Sequence, residues 1–573
     1  MNERGMRLRF TWCGGVMFLA LLTLCMRLVH LHILTDAHAR EIIVANRTFT
    51  TKLDVERGKI CDRNGDASIL AMDIVGRDIC ADPSALVSNS LIKAVAASLA
   101  EDLDLDTDRI ERKLSVPGSR YARIAMKVHP DLAAKVEARE LEGVFFEKTN
   151  VRYYPHGDFL CHVLGFVNYN GDGSAGVEQK MDIFLRGCPG ILESRKNALR
   201  QELYTQRGRH IPSMEGANIS LTIDQFVQCR VEDVLDEVVA EHNAKGAWAI
   251  VQRVRTGEIV AMASRPSYDL NMFTSSDANA RLNRAIGYTF EPGSTFKAIV
   301  FAAALEEGRV TPDTKIDCEY GTWMHAGRPL RDYHPYGILS VADGLKKSSN
   351  ILSAKLELML GDRLFYSYMR AFGIGQRSGL DLPGEEAGIL HPVRKWSKVS
   401  GSRMCIGQGV AVSAMQMLGV YSAIANDGVL MKPYIVAEAH AKDGTVLHMG
   451  KPEPLSRPVS SRNAALMRQL LARVTEKGGT GRRARVEGYT VAGKTGTAQK
   501  AIKGGYSSVN HIASFVGFLP AESPELSIIV VVDDPQPIHT GGRVAGPAFQ
   551  KIAEYAVRRM DVPASNHFKL AGR

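Results

Sequence analysis

The chain has 573 residues, 45% of them apolar and 23% charged, the balance of a folded protein of several domains rather than a disordered or fibrous one. Its net charge of +9 is scattered: the clusters Arg207-Gly208-Arg209-His210 and Arg482-Arg483 lack interleaved aromatics, so they read as solvated surface and argue against a nucleic-acid partner. Nine cysteines with no Cys-x-x-Cys, and no histidines at ligand spacing, indicate neither a zinc site nor a dense disulfide framework.

The first nine residues, MNERGMRLR, carry three arginines, and FTWCGGVMFLALLTLCM (10–26) begins an apolar run that continues past Arg27 to Leu34. About 20 apolar residues cross a bilayer core, and Arg27 can snorkel to the interface, so 10–34 is expected to be a membrane anchor. The positive-inside bias leaves residues 1–9 cytoplasmic and the rest outside. A cleaved signal peptide is the alternative, since Ala37-His38-Ala39 has the form of a cleavage site, but the apolar run exceeds a usual signal core.

From 42 to about 215, extended stretches such as ERGKICDRNGD (56–66) and VNYNGDGSAG (167–176) alternate with helical patches, LIKAVAASLAEDL (91–103) and DLAAKVEARELEG (131–143). They predict a mixed, somewhat elongated module without a catalytic constellation. After ISLTIDQ (219–225), Val231, Val234, Leu235, Val238 and Val239 recur at helical spacing. AWAIVQRVRTGEIVAMAS (247–264) then predicts two strands joined at Thr256-Gly257. Near the other end, YTVAGKTGTAQ (489–499), HIASFVGFLP (511–520) and LSIIVVVDDP (526–535) read as strands and FQKIAEYAVRRM (549–560) as an amphipathic helix. Distant parts of the chain are thus expected to close one antiparallel sheet, with a mostly helical stretch from 290 to 480 between them.

Within that stretch, FEPGSTFKAIVFAAALEEG places Ser294 at a helix start after Pro292-Gly293, and Phe296, Ile299, Val300, Ala303 and Leu305 give the helix a buried side. Residues i and i+3 share a face, so the Lys297 amine can reach the Ser294 hydroxyl. Serine needs an adjacent base, and lysine serves only when neutral. From a reference pKa of about 10.4, deprotonation at pH 7 costs roughly 4.6 kcal/mol. Burial, the helix dipole and a second cation would each lower that cost, so the chemistry predicts another lysine. Ser90-Leu91-Ile92-Lys93 fits the same pattern, so placement must separate the two.

Lys494-Thr495-Gly496-Thr497 supplies that lysine. On a strand, Lys494 and Gly496 share one side and Thr495 and Thr497 the other. A glycine on the cleft side would admit a substrate backbone, and Lys494 with the threonine hydroxyls would hold a carboxylate. Ser348-Ser349-Asn350 opens another apolar helix. Ser348 is expected either to relay a proton while Asn350 fixes the substrate, or simply to cap the helix.

Ser294-x-x-Lys297, Ser348-x-Asn350 and Lys494-Thr495-Gly496, in that order, resemble the active-site motifs of penicillin-binding proteins and serine β-lactamases. ERGKICDRNG (56–65), VRYYPHGDFLCHVLGFV (151–167), GVEQKMDIFLRGCPG (176–190), IGQGVAVSAMQM (406–417) and HTGGRVAGPAFQKI (539–552) look like segments of the class B penicillin-binding proteins. RDYHPYGILSVADGLKKSSN and VVDDPQPIHTGGRVAGP look closest to its septal type. The resemblance implies an α+β transpeptidase domain, an antiparallel sheet flanked by helices plus a mostly helical subdomain, carried on an elongated pedestal and one transmembrane helix. The expected partition is tail 1–9, anchor 10–34, pedestal 35–215, transpeptidase domain 216–565 and tail 566–573.

It further implies a D,D-transpeptidase with Ser294 as nucleophile, Lys297 as base, Ser348 and Asn350 as relay and positioning pair, and Lys494, Thr495, Gly496 and Thr497 gripping the substrate carboxylate. Backbone N–H groups of Ser294 and Thr497 would form the oxyanion hole. No metal or cofactor is implied. Peptidoglycan stem peptides and β-lactams would be its ligands, with a membrane-embedded glycan polymerase and division proteins as partners in the cytoplasmic membrane, at the septum. A β-lactamase or D,D-carboxypeptidase shares the motifs, and an elongation-type enzyme or a silent scaffold or sensor is the alternative; the product distinguishes them.

Overall fold

The computed structural model describes residues 3–34, 48–53, 55–195, 210–502 and 505–565. Ala37-His38-Ala39, the basic residues 207–209 and the tail 566–573 lie outside the described residues. Glu3–Val29 is one α-helix, continued by a wider turn, His30–Leu34. From Phe10 to Met26 it carries no charge, and Phe10, Trp12 and Phe18 are exposed. Gly5–Ile33, of mean hydropathy 1.9, is the one helix among the described residues long and apolar enough to cross a membrane.

The chain divides into two compact units. The smaller, Met1–Val55 with Gly187–Glu215, holds that helix and an antiparallel sheet in the order Thr48–Leu53, Gly190–Arg195, His210–Ile211. The larger, Glu56–Arg186 with Gly216–Arg573, contains two large sheets.

The first is seven-stranded, in the order Val446–Met449, Val436–His440, Asn218–Leu221, Ile60–Cys61, Ile69–Ala81, Ala122–Val128, with Val144–Tyr153 also paired to Ile69–Ala81. Beside it lies a buried ion cluster. The fully buried Glu178 accepts from Arg57 Nε and Arg152 Nε, each at 2.6 Å, while Arg57 reaches Asp182 at 2.7 Å and Arg152 reaches Asp73 at 3.2 Å. Buried charges persist where paired and hydrogen-bonded in this way.

The second is the antiparallel sheet that the sequence predicts, in the order Ile259–Arg265, Gly246–Arg253, Leu526–Asp533, Gly505–Leu519, Ala492–Ile502. Both faces are covered. Ala247, Ala249 and Val251 pack under Gln225–Glu241 and Gly541–Arg559, whereas Trp248 and Ile250 face the core that holds Lys297–Glu306 and Ala414–Ala425. Two-sided burial explains why IIVVV runs apolar without alternation. The helix expected at 549–560 begins earlier, at Gly541, and runs through Pro547.

Residues 290–480 carry the expected helices, Asn350–Leu360, Asp362–Ala371 and Ser461–Ala472 among them, but are less uniformly helical than the sequence reading holds. Lys315–Asp317 pairs with Ile338–Ser340, Thr322–His325 with Arg328–Arg331, and Leu430–Met431 with Pro454–Ser456. Strands of two to four residues are too short for an alternating pattern to register.

Candidate active site

The Ser294 turn is built by close backbone approach. Gly293, at φ 57°, begins a single 3-10 turn, Gly293–Phe296, which runs into the helix Lys297–Glu306. A Cβ on Gly407 would stand 2.2 Å from Gly293 O, so that position of IGQGV has to be glycine. The turn is pinned from beneath by the buried Tyr421, whose hydroxyl donates to Thr295 O at 2.8 Å, and Thr295 Oγ1 donates to Pro292 O at 2.8 Å. Ser294 itself is partly exposed, and among the described residues its hydroxyl is uncommitted.

The helix behind it has no polar side. Every residue from Lys297 to Leu305 is buried, so the single buried face read from the sequence is a fully enclosed helix. Lys297 is 0% exposed, and its Nζ donates to Ser348 O at 2.6 Å, Asn350 Oδ1 at 2.7 Å and Ser348 Oγ at 3.1 Å. Lys494, also 0% exposed, comes from the edge strand Ala492–Ile502 and donates to the same Ser348 Oγ at 2.9 Å. One hydroxyl thus sits between two buried amines. Burial pushes Lys297 down to about 8, against the pull of the Asp332 carboxylate, and pushes Lys494 well below its ordinary value, with the Lys297 charge adding to the effect.

Ser348 adopts a left-handed conformation, φ 59° and ψ 42°, between the helices Val341–Lys347 and Asn350–Leu360. The N-cap is Ser349, whose Oγ accepts from Leu352 N at 3.1 Å, so capping is not the work of Ser348. A non-glycine residue held at positive φ costs of order 1–3 kcal/mol and tends to mark a functional position.

Around the Lys-Thr-Gly strand the side chains separate as alternation requires, though not all serve the cluster. Thr495 Oγ1 donates to Thr480 Oγ1 at 2.9 Å on the far face and is buried there. Thr497 is exposed, and its Oγ1 accepts from Gly541 N at 3.0 Å. A Cβ on Gly496 would stand 2.9 Å from Pro292 O and 2.3 Å from Ser514 Oγ. What Gly496 admits is therefore the protein's own Ser294 turn, where the sequence reading had a substrate backbone. The competing Ser90 and Lys93 are both exposed on a surface helix, Asn89–Leu103.

Sequence reasoning missed Asp332. It follows the short strand Arg328–Arg331, and its carboxylate accepts from Ser349 Oγ at 2.6 Å and from the backbone N–H groups of Asn350 and Ile351. No local pattern marks it, because the helix that it caps begins 18 residues later. Glu291 was also passed over: its Oε1 accepts from Gly409 N at 2.8 Å and Tyr506 OH at 3.2 Å, beside a cleft of about 380 Å³ that reaches Ala498 and Lys500 of the edge strand.

Comparison with known proteins bears on the same segments. Residues 247–554 match the model of the penicillin-binding protein transpeptidase domain, and residues 52–221 that of the penicillin-binding protein dimerisation domain. The chain is 34% identical over 507 residues to a probable peptidoglycan D,D-transpeptidase, PenA, of Neisseria gonorrhoeae, covering 88% of this chain and 84% of that one. It is 29% identical over 562 residues to the peptidoglycan D,D-transpeptidase FtsI of Escherichia coli, covering 97% and 92%. A crystal structure of penicillin-binding protein 3 from Mycobacterium tuberculosis, complexed with ampicillin, superposes with a TM-score of 0.70 at 28% identity, covering 90% of this chain and 97% of that one.

Proposed function

Because the chain belongs to the class B penicillin-binding proteins, the peptidoglycan D,D-transpeptidases, we propose that Ser294 is its acylated nucleophile and that Lys297, Ser348 and Lys494 move the protons. The observation that carries this reading is the Ser348 hydroxyl hydrogen-bonded to both buried lysines, of which Lys297 lies one helical turn after the uncommitted Ser294.

The chemistry follows from the environment. With Lys297 near 8, making the free amine at pH 7 costs roughly 1 kcal/mol, a fraction of the cost for an exposed lysine. The amine takes the Ser294 proton as Oγ attacks the D-alanyl-D-alanine carbonyl of a stem peptide. The N–H groups of Ser294 and Thr497 face the developing oxyanion, each such donor typically worth about 2.7–4 kcal/mol. As the carbon–nitrogen bond breaks, the Ser348 hydroxyl passes a proton to the departing D-alanine amine and is refilled through the lysine pair. An amine of a neighbouring stem then attacks the ester, forms the crosslink and returns Ser294 to its hydroxyl form. Asn350 orients the donor backbone; Lys494 and Thr497 make the carboxylate grip, Gly496 lets the strand close on the Ser294 turn, and Thr495 steadies the strand from behind through Thr480. β-Lactams acylate the same serine.

The reading includes a septal role, supported by the likeness of RDYHPYGILSVADGLKKSSN and VVDDPQPIHTGGRVAGP to septal-type enzymes. It places the N-terminus in the cytoplasm, takes residues 35–215 as a pedestal for 216–565, and has that module contact a membrane-embedded glycan polymerase. Fluorescent penicillin is expected to label the protein covalently, and Ser294→Ala to lose the label with an unchanged circular dichroism spectrum. Label surviving that substitution would remove the assignment. A fluorescent fusion spread along the lateral wall of dividing cells would remove the septal role alone.

A further inference from the structure

The four leading N–H groups of the helix Asn350–Leu360 can all be accounted for. Ser349 N donates to Gly344 O, Leu352 N to Ser349 Oγ, and the two between them, Asn350 N and Ile351 N, both go to Asp332 Oδ1. Asp332 Oδ2 accepts from the Ser349 hydroxyl as well, so one carboxylate holds three donors of this turn. The carbonyl of the preceding Arg331 accepts from Asn350 Nδ2 at 2.7 Å, which leaves Asn350 Oδ1 turned toward Lys297 Nζ. A left-handed serine persists only where its surroundings over-determine it, and the flanking bonds of Ser348 run to this same hairpin end.

We propose that Asp332 is the positioning residue of the active site: its carboxylate fixes the Ser348–Asn350 turn so that the Ser348 hydroxyl stays between the Lys297 and Lys494 amines. It acts through Ser349, Asn350 and the helix start and touches neither substrate nor Ser294 in this role. Its charge has a second consequence. Two titratable groups act on the buried Lys297 amine, first the Asp332 carboxylate and then Cys405 from the turn after Ser400–Met404, and the Lys297 charge in turn lowers Lys494 of the edge strand. The same carboxylate that builds the turn therefore stabilises the ammonium form of the base and, against the larger effect of burial, raises the pH at which the amine becomes free.

The inference rests on Ser294 and Lys297 being nucleophile and base, and the test separates the two. Penicillin acylation is followed against pH for the full-length protein, Ser294→Ala, Asp332→Ala and Asp332→Asn, with thermal denaturation of each. Absence of a Ser294-dependent label in the unmutated protein would sink the underlying reading. Given that label, Asp332→Ala is expected to acylate roughly 100-fold more slowly, the scale of a misplaced catalytic group. Asp332→Asn keeps an oxygen for the two N–H groups and loses the charge. It is expected to recover most of the plateau rate while the rising limb moves down by up to about one pH unit, since removing a nearby anion favours the neutral amine. A cap of purely structural value would lower the melting temperature of both variants and leave the limb where it was. An unmoved limb in Asp332→Asn overturns the proposal, as does an unmutated rate in Asp332→Ala; should Asp332→Ala not fold, the Asp332→Asn profile decides alone.

Discussion

As the proposed base, Lys297 must lose a proton before it can take one from Ser294. Burial supplies most of that preparation, bringing the amine down to about 8, and Asp332 works against it. The free-base fraction therefore grows as pH rises, so acylation by penicillin is expected to climb tenfold per unit below about 8 and to level off above it. Lys297→Ala is expected to abolish the climb together with at least the 10²–10⁴-fold that a positioned base contributes. A rate flat from pH 6 to 9, or normal acylation by that variant, would place the base elsewhere. At this scale the sequence was most legible where chemistry demands a residue type: a serine needs a base, a lysine base needs burial, and a second lysine follows. What stayed hidden is conformation. Nothing in SSN tells that Ser348 is left-handed and Ser349 the cap, and nothing in RDYH tells that Asp332 closes over a helix whose own sequence starts 18 residues later.

Between elements, the decisive contacts are glycines that let backbones meet. Gly407 lies against Gly293 on one side of the Ser294 turn and Gly496 against Pro292 on another, so the turn is clamped between a loop and the edge strand. Gly407→Ala would put a methyl 2.2 Å from Gly293 O at a position already at φ 80°. The expected result is a loss of about 1–3 kcal/mol in stability from the backbone conformation alone. A fall in penicillin labelling out of proportion to the folded fraction should accompany it, because the displaced atoms neighbour Ser294. Labelling that simply tracks the folded fraction would mean that the turn tolerates the shift. The five-stranded sheet was readable because its strands are long and bounded by turn residues; the hairpin that delivers Asp332 was not, since Thr322–His325 and Arg328–Arg331 have four residues each.

Across the larger unit, the segments that carry no catalytic chemistry find their meaning in one another. Arg57 from ERGKICDRNG, Arg152 from VRYYPHGDFL, and Glu178 with Asp182 from GVEQKMDIFL are 125 residues apart at the extremes, yet Glu178 joins both arginines at 2.6 Å. Single-sequence reading sees only charged residues there, because the main partners of each charge come from distant segments, Asp73 of the strand Ile69–Ala81 among them. Val436–His440, within the stretch matched by the transpeptidase-domain model, lies in the same seven-stranded sheet as Asn218–Leu221 and Ile60–Cys61, so backbone hydrogen bonds tie this region to it. Glu178→Ala would remove the carboxylate shared by two buried guanidinium groups and leave them only Asp182 and Asp73, and breaking a buried pair of this kind costs about 3–5 kcal/mol. None of the cluster residues bonds to Ser294, Lys297, Ser348 or Lys494, which predicts a clean division of effects. The denaturant midpoint should fall by the equivalent of that loss, while the acylation rate per folded molecule stays that of the unmutated protein. If the rate per folded molecule drops instead, the cluster transmits to the catalytic site and is more than a structural staple.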